Sequence, residues 1–244
     1  MKLSGNTILI TGGTSGIGLE LAKALHAKNN KVIVLGRNEA KLDAAAETGL
    51  HTIQCDLEDQ GSIENAVRRI EQEYPDLNFL VNNAGVQHNY LFTEAVTPFR
   101  RVQQEIQCNL TGQIILTQML LPLLRVKERA CIINSTSGLG AFPKPDGIVY
   151  SAGKAGMRNF TTGLRYALQG TPICVMEFIP PVTATPMTAG RQEAKMQPDE
   201  LVARILPQIE KERKILTVPA MRIFLWIAFL APDLAFRILM KKEK

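Results

Sequence analysis

The chain is 244 residues long, 45% hydrophobic and 21% charged, with ordinary counts of 18 glycines and 13 prolines. That composition supports a sizeable core and excludes a disordered or collagen-like chain. The net charge of +5 comes without a dense basic run or a basic stripe with interleaved aromatics, so nucleic acid is excluded as an expected partner.

A strand is expected over residues 7–11, with no signal peptide ahead of it. A glycine-rich turn follows, then a helix over 18–28. Further strands are expected at 31–36, 52–55, 79–82, 131–134, 173–179 and 215–218. Most are runs of Ile, Val and Leu on successive positions, which marks strands buried on both faces and hence a parallel sheet. Between them, 39–47, 62–74, 98–124, 152–168 and 198–210 read as amphipathic helices. In the second of these, Ile63, Val67 and Ile70 share one face. The longest is expected to open with Thr97 as N-cap and Pro98 at the first helical position. The alternation predicts an α/β fold: a doubly wound, mostly parallel, seven-stranded sheet with helices on both faces, formed by residues 1–218 as one domain.

The rhythm stops at Pro219. Residues 219–244 are expected to form an apolar helical extension, which holds the chain's only tryptophan, Trp226. Arg222, Pro232, Asp233 and Arg237 interrupt it, so it lacks the apolar length that crosses a membrane. The expectation is a helix packed on its own domain or on a second subunit. The alternative is an interfacial helix at a membrane surface, assisted by Lys241, Lys242 and Lys244. Cys55, Cys108, Cys131 and Cys174 are scattered and lie in apolar or periodic segments, so buried thiols in a cytoplasmic protein are expected. His26, His51 and His88 have no metal-ligand spacing, and no metal is expected.

Immediately after the first strand stands Thr11-Gly12-Gly13-Thr14-Ser15-Gly16-Ile17-Gly18. Glycines let the backbone turn sharply and approach a pyrophosphate, and the helix N-terminus that follows offers free N–H groups and a positive dipole end. At the end of the second strand, where an acidic residue would bind the ribose 2′-OH of NAD, this chain has Gly36 and then Arg37. An arginine suits a 2′-phosphate, so NADP(H) is favoured, with NAD(H) as the alternative.

These features and four more make the chain resemble the short-chain dehydrogenase/reductase family. Asn82-Asn83-Ala84-Gly85 ends the fourth strand as that family's N-N-A-G does. Tyr150-Ser151-Ala152-Gly153-Lys154 is similar to its Y-x-x-x-K, and Ser137 lies 13 residues ahead of Tyr150. Asn109 falls where the family keeps an asparagine in its long helix. Within the family the chain is most similar to DltE-type oxidoreductases, through Gln54-Cys55-Asp56 and Ala231-Pro232-Asp233. The resemblance covers roughly residues 5–218 and implies a three-layer Rossmann fold, hydride transfer between nicotinamide and a small alcohol or carbonyl substrate, and a homodimer or homotetramer joined through the long helices.

It also implies the roles. Tyr150 is the expected general acid/base. A free tyrosine titrates near 10, and bringing it to about 7 needs roughly 4 kcal/mol of preferential phenolate stabilisation. Lys154, four residues on and on the same helical face, would supply that field and hold the nicotinamide ribose. Ser137 would hydrogen-bond the substrate oxygen, and Asn109 would anchor a water leading to Lys154. Gly12, Thr14, Ser15, Gly16, Ile17 and Gly18 would cradle the pyrophosphate. Asp56, with Leu57 beside it, would read the adenine amine. Asn83, Ala84 and Gly85 would line the cofactor, and Pro180, Thr183 and Thr185 would meet its carboxamide. Pro181 departs from the family's usual Pro-Gly and removes an N–H there.

A polar stretch over 187–197, with Gly190, Arg191 and Lys195, is expected as a lid. Gln87, His88, Tyr90, Leu139, Phe142, Pro143 and Met187 are expected around the substrate, with His88 at the rim. The alternatives to an enzyme are a cofactor-binding sensor without turnover and a membrane-surface protein on the same fold.

Overall fold

The computed structural model describes residues 2–240, so Lys241, Lys242 and Lys244 lie outside the described residues. β1 (Thr7–Thr11) is buried along its whole length, because side chains of both parities find a core. Ile8 and Ile10 point to one side, where Val32, Val34, Phe79 and Ile133 join them. Leu9 points to the other side, with Ile33, Leu35, Leu80 and Ile132. Each such side chain contributes about 1.5–3 kcal/mol by leaving water, and this double coverage is why the strands read as continuous apolar runs.

β2 (Lys31–Gly36), β3 (His51–Gln54), β4 (Leu77–Asn82), β5 (Ala130–Ser135), β6 (Ile173–Phe178) and β7 (Ile215–Leu216) complete a seven-stranded sheet in the order β3-β2-β1-β4-β5-β6-β7. Every neighbouring pair is parallel. The order reverses between β1 and β4, which opens a crevice at their carboxyl ends. β7 is shorter than expected because β6 pairs with it only at Glu177 and Phe178.

One layer holds α1 (Gly16–His26) and α7 (Pro198–Glu210), with α2 (Glu39–Ala46) beside them. The opposite layer holds α3 (Gln60–Glu73), the long helical segment after β4, and α6 (Ile148–Ala167). In α3 the expected face is the buried one, with Ile63, Val67 and Ile70 inward.

The expected single helix over 98–124 differs in two ways. It is divided into α4 (Phe99–Ile106), a π turn (Gln107–Thr111) and α5 (Gly112–Arg125). Pro98 is the N-cap with an extended ψ of 126°, so the helix begins one residue later than expected and Thr97 does not cap it. α6 begins at Ile148, four residues before the expected start, and therefore carries Tyr150 as well as Lys154.

The extension forms two helices, α8 (Pro219–Leu230) and α9 (Pro232–Met240), broken at Ala231-Pro232. The expected packing on the domain holds for one side only. A Cβ on Gly138 would meet Met221 Sδ at 2.9 Å and Phe224 Cε1 at 3.7 Å, and the Phe142 and Phe236 rings lie 6.4 Å apart. On the outer side Trp226 is 61% and Phe229 79% exposed, which a helix buried against its own domain would not be. No helix among the described residues is long and apolar enough to cross a membrane. All four cysteines are free thiols; Cys55, Cys108 and Cys131 are buried and Cys174 partly so.

Candidate active site

The turn after β1 is built by close approach. Gly12 has φ +64°, and a Cβ there would sit 2.8 Å from the Ala84 Cα, so the glycine loop rests directly on the residues that follow β4. Thr11 fastens the two segments: its Oγ1 accepts from the Asn83 and Ala84 N–H groups, both at 2.9 Å. The Asn83 amide returns a bond to the Thr11 carbonyl at 3.2 Å. α1 starts at Gly16, two residues before the expected start, with Ser15 as an N-cap whose side chain makes no capping bond. The first N–H groups of α1 thus face the loop without a side-chain acceptor. Ile17 packs against the core of that layer.

At the end of β2, a side chain on Gly36 would run into Thr14, 2.9 Å from its Cγ2. Thr14 therefore fills the space where an acidic residue would otherwise project. The Arg37 guanidinium forms a close ion pair with Glu58 and lies 3.8 Å from Asp56 Oδ2. Asp56 Oδ1 accepts from the Glu58 N–H at 3.0 Å. Leu57 is buried, and its carbonyl backs onto Gly112 at the start of α5.

Three groups converge beside Gly85. A Cβ there would meet Asn109 Oδ1 at 3.0 Å, Lys154 Nζ at 3.7 Å and Met187 Cε at 3.8 Å. Asn109 lies in the π turn, and its side chain is a two-point clamp. Its Oδ1 accepts from the Val86 N–H and its Nδ2 donates to the Val86 carbonyl, both at 2.8 Å. The side chain expected to anchor a water is thus committed to holding the 85–87 backbone. Lys154 is 3% exposed and donates to the Ser135 carbonyl at 2.8 Å. Its Nζ lies 5.7 Å from the centroid of the Tyr150 ring. Burial pushes its ammonium down to about 8.

Tyr150 is 8% exposed. Burial pushes its phenol up to about 12, while a hydrogen bond from Ser137 and the charge of Arg191 pull the other way. The expected lowering of the phenol is therefore corrected: desolvation of the phenolate outweighs the Ser137 hydrogen bond and the charge of Arg191, and Glu105 adds to the rise. Ser137 caps a short 3-10 turn, where its Oγ accepts from the Leu139 N–H at 3.1 Å.

After β6, Thr183 Oγ1 donates to the Pro181 carbonyl at 2.9 Å, so its hydroxyl is used within the turn that begins at Pro180. Thr185 reaches the glycine loop, 2.9 Å from where a Cβ on Gly16 would stand. His88 is held at the rim, its ring Nε2 2.8 Å from Gln104 Oε1.

Sequence reasoning missed three residues. Glu58 engages Arg37. Gln113 donates to the Ala84 carbonyl at 2.7 Å. Glu105 is fully buried on α4, where it accepts from the His88 N–H at 2.8 Å and the Tyr90 hydroxyl at 3.0 Å. A signal for Glu105 existed: it falls on the face of 98–124 that also carries Val102, Cys108 and Asn109.

Residues 6–196 match the family model described as short chain dehydrogenase. The chain is 40% identical over 187 residues to the uncharacterized oxidoreductase DltE of Bacillus subtilis (strain 168), covering 76% of this chain and 74% of that one. It is 35% identical over 195 residues to serine 3-dehydrogenase of Agrobacterium fabrum, covering 77% and 78%. A solved short chain dehydrogenase from Burkholderia cenocepacia J2315 in complex with NADP has the same fold, with a TM-score of 0.87 at 22% identity over 98% of this chain and 99% of that one.

Proposed function

The chain belongs to the short chain dehydrogenase family, on its DltE-type branch, and is an oxidoreductase of the CH–OH/C=O kind; from that premise we propose that it exchanges hydride between NADP(H), with NAD(H) as the alternative, and a small alcohol or carbonyl, with Tyr150 as general acid/base. The observation that carries this reading is the placement of Tyr150 and Lys154 on one face of α6, with the Ser137 hydroxyl on the phenol and Lys154 Nζ beside Gly85.

The residues present fit a nicotinamide dinucleotide. The glycine turn and the uncapped start of α1 suit a pyrophosphate. At Gly85 the missing side chain leaves backbone open beside a buried ammonium. Lys154 makes a single hydrogen bond among the described residues, so two of its three donors are free for ribose hydroxyls. The name of the serine 3-dehydrogenase relative and the NADP in the Burkholderia structure support the same direction.

Bound nicotinamide supplies the hydride acceptor in one direction and the donor in the other. In the oxidative direction the alcohol carbon loses its C–H bond with both electrons as hydride, and the O–H proton passes to Tyr150 as the C=O forms. Ser137 holds the reacting oxygen while charge develops on it. Ser137 and the charge of Arg191 offset part of the cost of the phenolate. In the reductive direction the buried phenol, raised to about 12, is protonated at neutral pH and ready to donate. Asn109 keeps the floor of the site in place through Val86. The homo-oligomer remains part of the proposal. The apolar outer side of α8 is a surface for it, and solution mass with and without residues 219–244 is the measure.

The test begins with fluorescence titration of NADPH and NADH. NADPH should bind about tenfold tighter or more, and Arg37→Ala should erase that gap. Glu58→Gln should tighten NADPH further, because Arg37 then faces one carboxylate instead of two. Equal or tighter NADH binding in the wild-type protein would move the chain to NAD(H).

A further inference from the structure

Beyond β6 the chain leaves the sheet and forms a loop that is closed at its neck before α7 begins. The Ala184 N–H donates to the Met196 carbonyl at 2.9 Å, and the Met196 N–H to the Val182 carbonyl at 3.0 Å. Inside the loop, Pro186–Thr188 make one 3-10 turn, and Thr188 Oγ1 donates to the Thr183 carbonyl at 2.5 Å. Gly190, at φ +72°, then reverses the backbone so that the Arg191 N–H reaches the Thr188 carbonyl at 3.2 Å. Arg191 is therefore presented from a fastened loop.

The surroundings of its guanidinium are unequal. Nη2 donates to Gln87 Oε1 at 2.5 Å, two residues past Gly85. Nε is buried and has no hydrogen-bond partner. Nη1 has only a 3.8 Å approach to Glu193 Oε1, too long for a hydrogen bond. The positive charge of Arg191 is felt at Tyr150. On the same loop, Met187 reaches the space beside Gly85, where Lys154 and Asn109 meet.

Fastening the loop to Gln87 needs one neutral donor. It does not need a guanidinium with unused N–H groups near the reacting phenol. A buried donor without an acceptor is disfavoured, and the planar arginine fork matches a carboxylate with two parallel bonds. We propose that Arg191 is the substrate-anion subsite: the substrate is a short hydroxy or oxo acid whose carboxylate is held by Arg191 while Ser137 and Tyr150 hold the reacting oxygen. This rests on the oxidoreductase reading above and names the substrate class for that site. Lysine would keep the charge but lose the fork.

The experiment compares β-hydroxybutanoate and β-hydroxyhexanoate with their methyl esters, using NADP⁺, in wild type, Arg191→Met and Arg191→Lys. NADPH affinity and calorimetric binding of each acid to the NADPH-loaded protein are measured alongside. In wild type the acid should exceed its ester in kcat/KM by about tenfold or more. That ratio should collapse to about one in Arg191→Met and survive in part in Arg191→Lys, with the Kd for NADPH within about twofold of wild type. Wild type that takes the ester as well as the acid, or Arg191→Met that keeps the ratio, overturns the anion subsite and leaves the oxidoreductase reading intact. Wild type that binds NADPH but neither binds nor turns over the acids overturns it too. Failure to bind NADPH or NADH at all removes the underlying reading, and the subsite with it.

Discussion

Replacing Tyr150 by Phe lowers kcat/KM for NADPH-dependent carbonyl reduction by about a thousandfold, within the range of a lost general acid, and leaves the Kd for NADPH within about twofold. The substitution removes one oxygen and keeps the ring. The ring is what packs on α6 and faces Lys154 Nζ at 5.7 Å, so the fold and the cofactor crevice stay in place. What is lost is the hydroxyl that meets the Ser137 side chain from the same helix as Lys154. The buried phenol, pushed up to about 12, also sets a pH signature in wild type. Reduction needs the protonated form and should be flat across neutral pH. Alcohol oxidation needs the phenolate and should speed up as pH rises. Initial rates in both directions and NADPH fluorescence check all three statements. A Phe variant that keeps a tenth of wild-type activity would remove Tyr150 from the chemistry.

Much of this was legible in the sequence, and the reasons differ by element. β1 and β2 were readable to the residue, because a strand covered on both faces carries apolar side chains on successive positions, here Ile8–Ile10 and Val32–Leu35. The glycine turn was readable because only glycine fits a backbone that lies 2.8 Å from its neighbour. The π turn was not. It depends on Asn109 reaching Val86 across 23 residues of chain, which no local periodicity encodes. The Arg37–Glu58 pair was hidden for a similar reason. It follows from the register that sets Gly36 against Gln54 and so brings the two strand ends together. The Tyr150–Lys154 spacing was visible, but the titration of the pair was not. Burial of both side chains outweighs the attraction that spacing alone suggests. A motif names the groups, and the walls around them set their protonation.

That burial has a price in stability, and Lys154→Met should reveal it. A free lysine titrates at 10.5, and burial holds Lys154 at about 8. Below about pH 8 the ammonium is charged in both the folded and the unfolded chain, so the fold bears the full desolvation cost, roughly 3 kcal/mol. Between about 8 and 10.5 the unfolded chain binds the extra proton, so stability rises with pH through that window. Methionine has a similar reach and no charge to desolvate. It gives up the bond to the Ser135 carbonyl, worth about 1 kcal/mol. The variant should therefore be more stable than wild type by about 2 kcal/mol near neutral pH, with the gain shrinking to nothing or below as pH approaches 10. Urea unfolding of both proteins at about pH 7 and about pH 10 measures it directly. The same variant should lose turnover, because the donors proposed to hold the nicotinamide ribose beside Tyr150 are gone. Stability gained where activity is lost is the mark of a group kept for chemistry at the expense of the fold. A variant less stable than wild type at neutral pH, or a difference that does not move with pH, would mean that Lys154 is held mainly as a structural tie between α6 and β5.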